Sequence, residues 1–220
     1  MHAGRVVVLG AAAAAFVAAI VSPGCRRGPA IEARPFDPAA AAAAAISACD
    51  ADGSGGIGAA ELEACPGLAA AAGRIDADGD GTLTQAEMAA RFAVYKAAAG
   101  MVVPLKYRVT LDGRPLAGAA VTLAPESFMG PSWASGSGTT GNDGDVVVSA
   151  DAVRAKGFAG VYPGIYRITV APAGGDPAKP LTHAATGTTE LGQDVAPDNR
   201  DLELPRQLAM TTRRGKPAAK

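Results

Sequence analysis

The sequence has few aromatic residues, only two histidines and no excess of charge of either sign. Phe, Trp and Tyr account for 5% of the 220 residues, whereas 49% of the residues are hydrophobic. Much of that hydrophobic content is alanine, so we expect a core of small and β-branched side chains. Lys and Arg number 20 against 21 Asp and Glu. This balance argues against nucleic acid as a partner.

The sequence also offers little for catalysis. His2 lies at the amino terminus and His183 lies in a predicted loop, and neither has a recognisable acid–base partner. We find no phosphate-binding loop, no zinc-ligand spacing and no serine or cysteine with a nearby base in the sequence. We therefore predict that the protein is not an enzyme.

The amino-terminal segment, MHAGRVVVLGAAAAAFVAAIVSPGC, contains an apolar run from Val6 to Val21. A run of this length is short for a membrane span and fits an export signal. The segment resembles a bacterial lipoprotein signal, in which the cysteine after the apolar run becomes the lipid-bearing first residue. The resemblance implies a signal peptide over residues 1–24, lipidation at Cys25 and a membrane-anchored lipoprotein of the cell envelope. Release after cleavage and an uncleaved anchor are the alternatives.

Residues 25–36 are polar and contain prolines, which is typical of a tether between a membrane anchor and a folded part. The next segment has the signals of a helix start. Asp37 can cap a helix, Pro38 suits its first position, and the alanine run that follows has high helix propensity. The pattern predicts a helix from Pro38 to about Cys49.

A twelve-residue segment then occurs twice, with starts 26 residues apart. The first copy, DADGSGGIGAAE, spans Asp50 to Glu61, and the second, DADGDGTLTQAE, spans Asp76 to Glu87. Both resemble the calcium-binding loop of an EF-hand, which supplies oxygen ligands from positions 1, 3, 5, 7, 9 and 12 and has glycine at position 6. The repeat therefore predicts a pair of EF-hands with two Ca²⁺ ions.

The resemblance assigns the ligands residue by residue. Position 9 of the first loop is Gly58, so a water molecule has to complete that site, and the loop has three carboxylates against four in the second. We expect the second loop to bind calcium more tightly. Ile57 and Leu83 are predicted to join the loops through a short β bridge. The implied ligands are Asp50, Asp52, Ser54, the carbonyl of Gly56 and Glu61 in the first loop, and Asp76, Asp78, Asp80, the carbonyl of Thr82, Thr84 and Glu87 in the second.

The EF-hand resemblance also places Cys49, Leu62 and Cys65 on the core side of the first hand. Outside the cytoplasm the two cysteines can oxidise, so we predict a Cys49–Cys65 disulfide, with two small buried thiols as the alternative. A disulfide across the hand favours structural calcium over a sensor that opens a Met-rich groove. A weaker likeness to dockerins, whose paired calcium loops bind a cohesin module, is a further alternative.

From Val102 onward the sequence consists of short β-branched runs separated by glycine-containing turns, which is typical of an all-β sandwich. The segments LDGRPLAGAAVTLAPE, SGTTGNDGDVVV and PGIYRITV resemble the carboxypeptidase regulatory-like, or transthyretin-like, domains of bacterial surface proteins, including planctomycete-type lipoproteins. The resemblance implies a fold and no particular activity. The side chains predicted to fill the sandwich are Tyr107, Val109, Val121, Leu123, Val146, Val148, Tyr166, Ile168 and Val170.

The sequence thus predicts an α+β protein of two modules, an all-α EF-hand pair over residues 37–100 and an all-β sandwich, immunoglobulin-like or transthyretin-like, over residues 101–205. A basic, disordered tail is expected over residues 206–220. The predicted function is that of a calcium-binding, non-enzymatic lipoprotein of the cell envelope. The alternative is a protein- or glycan-binding surface module in which calcium is only structural, with Trp133 either stacking on a sugar or packing against the sandwich.

Overall fold

The computed structural model describes residues 31, 32 and 34–212. Helices come first along the chain and strands follow, so the protein belongs to the α+β class. The predicted signal peptide, the lipidation site at Cys25 and residues 213–220 lie outside the described residues. Within the described part of the chain, no helix combines the length and the apolar character needed to cross a bilayer.

Four helices precede the large sheet, and three of them begin at a capping residue or a proline. Asp37 accepts hydrogen bonds from the backbone N–H groups of Ala39 (3.0 Å) and Ala40 (3.3 Å), and proline occupies the first turn of the first and third helices. Thr84 caps the fourth helix with its hydroxyl. The helices are α1 (Pro38–Cys49), α2 (Ala59–Leu62), α3 (Pro66–Ile75) and α4 (Gln85–Ala97). The predicted start and end of the first helix are confirmed.

Two short strands, β1 (Gly56–Ile57) and β2 (Leu83–Thr84), pair with each other between the helices. The remaining nine strands form one sheet with the order β10-β8-β5-β6-β7-β3-β11-β9, and β4 pairs with β3. A four-residue helix, α5 (Asp151–Arg154), follows β7. The strands are β3 (Leu105–Leu111), β4 (Arg114–Pro115), β5 (Ala120–Pro125), β6 (Gly136–Thr139), β7 (Asp145–Ala150), β8 (Gly164–Ala171), β9 (Thr182–His183), β10 (Leu191–Val195) and β11 (Arg206–Thr211).

The sheet curls over so that distant strands face each other across a common interior. The Tyr107 hydroxyl on β3 donates to Gln193 Oε1 on β10 at 3.3 Å, although four strands separate β3 from β10 in the sheet. Alternation along β3, β5, β7 and β8 directs one face of each strand inward. All nine side chains predicted to fill the interior are buried, none of them more than 6% exposed.

The predicted disordered tail is wrong over its first six residues. Residues 206–211 form β11, which pairs in parallel with β3, and Leu208 and Met210 are buried. The basic residues around this segment favour a tail, although its apolar residues alternate as in a strand. The predicted tether is also wrong at its carboxyl end, because residues 34 and 36 pack against the sheet part. The ring centroids of Phe36 and Trp133 are 4.6 Å apart, and the guanidinium carbon of Arg34 lies 4.1 Å from the centroid of the Tyr162 ring.

The helices and the sheet share one hydrophobic core, so the two predicted modules do not have separate interiors. Helix α3 lies against β10 at very close range. A Cβ atom added at Gly192 would lie 1.6 Å from the carbonyl oxygen of Pro66, so only glycine fits there. A second contact involves α4, whose Phe92 ring stacks on the Phe128 ring with a centroid distance of 5.7 Å.

A buried ion pair joins α4 to β10. Arg91 Nη2 donates to Asp194 Oδ2 at 2.6 Å, and the side chains are only 4% and 1% exposed. The Tyr95 hydroxyl donates to the other oxygen of Asp194 at 2.8 Å. Burial and the Asp194 carboxylate raise the pKa of Tyr95, which keeps its hydroxyl protonated as a donor. The helical part of the chain is therefore attached to the sheet by polar as well as apolar contacts.

Two glycine substitutions test the contact between α3 and β10. We expect Gly192→Ala to lower the free energy of unfolding by about 3 kcal/mol, because the added methyl group collides with backbone atoms. Gly73 is exposed within α3 and has open space around it, so Gly73→Ala is expected to raise the free energy of unfolding by about 0.5 to 1 kcal/mol. Urea denaturation measures both. Similar effects of the two substitutions would contradict the close contact.

Arg91 binds a second carboxylate, that of Asp198, at 2.7 Å, and the Asp198 side chain is 54% exposed. Substituting the two carboxylates one at a time tests the importance of the buried pair. We expect Asp194→Ala to cost about 3 to 5 kcal/mol, because it leaves a buried guanidinium without its main counter-charge. Asp198→Ala should cost less than about 1 kcal/mol, because water screens that pair. Equal losses in urea denaturation would show that Asp194 has no special role.

Candidate metal centre

The two repeated loops lie side by side. Gly56 of the first loop pairs with Thr84 of the second, and Ile57 pairs with Leu83, in an antiparallel arrangement. Ile57 and Leu83 are 0% and 1% exposed, so the bridge lies on the core side of both loops. The predicted β bridge is confirmed. It places the acidic segments of both loops at the opposite, solvent-exposed side.

In the first loop, Asp50 organises the backbone. Its Oδ1 accepts hydrogen bonds from the N–H groups of Gly53 (2.8 Å) and Ser54 (3.1 Å), and its Oδ2 accepts one from Gly55 (2.9 Å). Gly55, at the sixth position, has a φ of +86°, which residues with a side chain rarely adopt. The loop therefore turns sharply around the Asp50 carboxylate.

The last residue of the first loop folds back over it. Glu61 Oε1 accepts from Ala51 N at 2.6 Å, and its Oε2 accepts from Gly58 N at 2.8 Å. These backbone donors, Gly58 first, lower the pKa of Glu61. Oxygen atoms of Asp50, Asp52 and Glu61 lie within 4.8 Å of one another. Three of the predicted ligands are thus brought together.

The remaining predicted ligands of the first loop, Ser54 and Gly56, contact each other. The Ser54 hydroxyl donates to the Gly56 carbonyl at 3.2 Å, and the Ser54 N–H donates to Asp52 Oδ1 at 2.9 Å. The hydrogen bonds from Ser54 lower the pKa of Asp52. The segment from Asp50 to Gly56 therefore presents its oxygen atoms toward a common region.

The second loop repeats this arrangement with one more carboxylate. Asp76 accepts from Gly79 N (2.7 Å) and Gly81 N (3.0 Å), and Gly81 at the sixth position has a φ of +83°. Oxygen atoms of Asp76, Asp78 and Asp80 lie within 4.8 Å of one another. The N–H of Thr82 donates to Asp80 at 2.7 Å.

Glu87 closes the second loop as Glu61 closes the first. Its Oε1 accepts from Ala77 N at 2.9 Å, and its Oε2 accepts from the N–H (2.9 Å) and hydroxyl (2.7 Å) of Thr84. The Thr84 hydroxyl is the largest of the causes that lower the pKa of Glu87 to about 2. Glu87 binds these loop donors and is not part of the three-carboxylate cluster.

The geometry of both clusters suits a metal ion. Protein oxygens bind a calcium ion at about 2.3 to 2.6 Å, so two ligands on opposite sides of the ion are about 4.6 to 5.2 Å apart. The carboxylate oxygens of each cluster lie within 4.8 Å of one another, so they are close enough together to contact one ion. All the predicted donors are oxygen atoms, which favour hard cations over zinc or copper. Each cluster can therefore hold one such ion.

The two arginines of the helical part pair with acidic residues outside it. Residues 37–98 contain nine acidic and three basic residues, a net charge of −6. Arg74 pairs with Asp201 at 2.6 Å, and Arg91 pairs with Asp194 and Asp198, all of them beyond the helices. Within residues 34–212, no salt bridge joins Lys or Arg to a carboxylate of either loop. The negative charge of the loop carboxylates is therefore not neutralised by an ion pair within this part of the chain.

The cysteines that flank the first loop are bonded to each other. Cys49 and Cys65 form a disulfide across 16 residues of sequence, with their Cα atoms 6.3 Å apart. Cys49 ends α1 directly before Asp50, and Cys65 directly precedes α3. Every predicted ligand of the first loop lies between the two cysteines.

Two further residues singled out in the sequence, Trp133 and His183, are part of the fold. Trp133 is 5% exposed, and its indole N–H donates to the Pro163 carbonyl at 2.9 Å, so its ring faces the interior rather than solvent. His183 lies in β9 opposite Met210, not in the predicted loop. Burial, followed by the charge of Arg206, lowers the pKa of His183.

Sequence reasoning missed the partner of Arg91 and a groove beside the first loop. Arg91 pairs with Asp194, which lies 103 residues further along the chain. The groove has a volume of about 630 Å³ and lies between α3 and residues 186–192, with Leu62, Pro66, Thr188 and Arg206 among its lining residues. No local pattern in the sequence marks either feature.

Comparison with known proteins adds no relative. No protein-family model matches the sequence, and no curated protein matches it.

Proposed function

We propose that the protein binds two calcium ions in paired EF-hand loops and has no catalytic activity. One observation carries the proposal. Two antiparallel-paired loops each gather three carboxylates within 4.8 Å, and no Lys or Arg of the described residues neutralises them. Repulsion among these carboxylates opposes the fold unless a divalent cation offsets it, so binding contributes to stability.

Calcium is the best-suited cation because of the number and flexibility of the donors. A twelve-residue loop with several carboxylates, a hydroxyl and a backbone carbonyl can supply about six to eight oxygens, as calcium requires. Magnesium demands stricter octahedral geometry and retains more water. The second loop, with four carboxylates and Thr84 at its ninth position, is the tighter site, and the first loop relies on water at Gly58.

The proposed role of calcium is structural. The helices that hold the loops also contribute to the core shared with the sheet, through Leu68, Met88 and Phe92 among others. A sensor opens its helix pair to expose a groove, and here such an opening would break the Arg91–Asp194 ion pair. The sheet is proposed to belong to the carboxypeptidase regulatory-like, or transthyretin-like, class, which its antiparallel strands and buried Tyr and Val residues support.

Nothing specific supports the alternative of a glycan-binding surface module. The aromatic ring considered for stacking on a sugar, Trp133, faces the interior.

Calcium binding is tested by isothermal titration of the intact chain. We expect two sites, with dissociation constants of about 10⁻⁴ to 10⁻³ M, as is usual for extracellular calcium modules. The pair Asp76→Asn and Glu87→Gln should remove the tighter site, and Asp50→Asn with Glu61→Gln should remove the weaker one. Glu203→Gln, which removes an exposed charge far from both loops in sequence, should leave both sites intact. Absence of binding at millimolar calcium would refute the proposal.

The proposed location is the membrane surface of the cell envelope, with a lipid on Cys25. We expect the protein isolated from its native membrane to begin at Cys25 and to carry acyl chains, since such chains provide stable anchoring. Mass spectrometry of its amino-terminal peptide measures this directly. With Cys25→Ser, the protein should leave the membrane fraction or retain its signal peptide. An unmodified Cys25 would contradict the anchor.

A further inference from the structure

We propose that the Cys49–Cys65 disulfide positions Glu61 as a calcium ligand and thereby makes calcium binding at the first loop dependent on redox state. This inference rests on the proposed function, because it concerns how one of the two proposed calcium sites is held. It assigns the disulfide a role in ligand binding in addition to a role in folding.

The two loops differ in what anchors their closing glutamate. Glu87 lies in the first turn of α4, a helix of 13 residues that buries Met88, Arg91, Phe92 and Tyr95. That burial holds the Glu87 backbone in place without any further bond. Helical packing is therefore sufficient to position the twelfth residue of the second loop.

Glu61 has no comparable anchor. It lies in α2, which has four residues, Ala59–Leu62, and none of them is buried. Leu62 is only partly buried, and the residues that follow, Glu63 and Ala64, are exposed. A helix of four residues is too short to be stable by itself in water. The β bridge at Ile57 holds the chain four residues before Glu61. The position of Glu61 therefore depends further on what holds the chain just after it.

The disulfide is the covalent restraint at that point. Cys65 lies four residues after Glu61 and is bonded to Cys49, which is 8% exposed in α1 and directly precedes Asp50. The first and last ligands of the loop are thus each close to one end of the same bond. By closing the chain around the loop, the bond reduces the conformations available to Glu61 when calcium is absent.

The bond is accessible to a reductant from one side. Cys65 is half-buried, whereas Cys49 is buried. A thiolate of an external dithiol attacks one sulfur of the disulfide and forms a mixed disulfide, and its second thiol then displaces the protein sulfur. Two electrons and two protons pass to the protein, which gains two cysteine thiols, and the dithiol becomes a disulfide.

Breaking the bond should therefore weaken calcium binding at the first loop and spare the second. By linkage, calcium bound at the first loop must in turn favour the disulfide over the two thiols by the same factor. The effect can be measured in both directions. One direction follows calcium affinity as a function of redox state, and the other follows reduction as a function of calcium.

The first experiment is calcium titration by calorimetry of the intact chain carrying Cys25→Ser, oxidised and after treatment with dithiothreitol. In the variant Asp76→Asn, Glu87→Gln, only the first loop is left, and we expect reduction to weaken its binding roughly ten-fold, within the usual range of such couplings. In the matched variant Asp50→Asn, Glu61→Gln, only the second loop is left, and its affinity should be unchanged. Cys49→Ser, Cys65→Ser should behave as the reduced chain does with or without dithiothreitol.

The second experiment does not require the reduced chain to remain folded. Thiol release by dithiothreitol is followed at increasing calcium concentrations, and calcium should protect the disulfide when the first loop is intact but not in Asp50→Asn, Glu61→Gln. Equal first-loop affinity in the oxidised and reduced chains, or equal protection in both variants, would overturn the inference while leaving calcium binding established. Absence of calcium binding in the oxidised chain would overturn the proposed function itself.

Discussion

The buried carboxylate of Asp194 is the constraint on which the arrangement of the molecule depends. It lies on β10, is 1% exposed and receives hydrogen bonds from Arg91 and Tyr95 of α4. A charge in that position is costly unless its partners stay in place. The position of α4 on the sheet is therefore closely specified. Because α4 also carries Glu87, the same contact sets where the second loop lies.

This ion pair has an electrostatic consequence for the loops. Two of the three basic residues in the helical part, Arg74 and Arg91, form ion pairs with acidic residues of β10 and of the segment that follows it. Among the described residues, no Lys or Arg forms an ion pair with the loop carboxylates, and the hydrogen bonds of these carboxylates come mainly from backbone N–H groups. These bonds lower the pKa of Glu61 and the pKa of Glu87. Each cluster could hold a metal ion. In the proposed function, the attachment of α4 to the sheet favours a structural rather than a switching role for calcium.

Much of the local structure could be predicted from the sequence. The helix from Pro38, the β bridge of Ile57 and Leu83, and the nine inward-facing side chains of the strands all follow from capping, spacing and alternation. The predictions that failed concern contacts between segments that are distant in sequence. Residues 206–211 were assigned to a tail because their neighbours are basic, and the strand exists because β3 provides a parallel partner about one hundred residues earlier. Phe36 was assigned to a tether, and it packs because Trp133 offers a surface.

The repeated loops are a property of the sequence, because each loop is contiguous and its acidic residues recur at set positions within twelve residues. The cysteines at its two ends are likewise close along the chain. The single core, the Arg91–Asp194 pair and the contact of Gly192 with Pro66 were decided by the tertiary structure. The Arg91–Asp194 and Gly192–Pro66 contacts each join residues more than one hundred positions apart. No local spacing encodes which strand a helix will lie against. The local sequence therefore determines the two loops, and tertiary packing determines how they are attached to the rest of the protein.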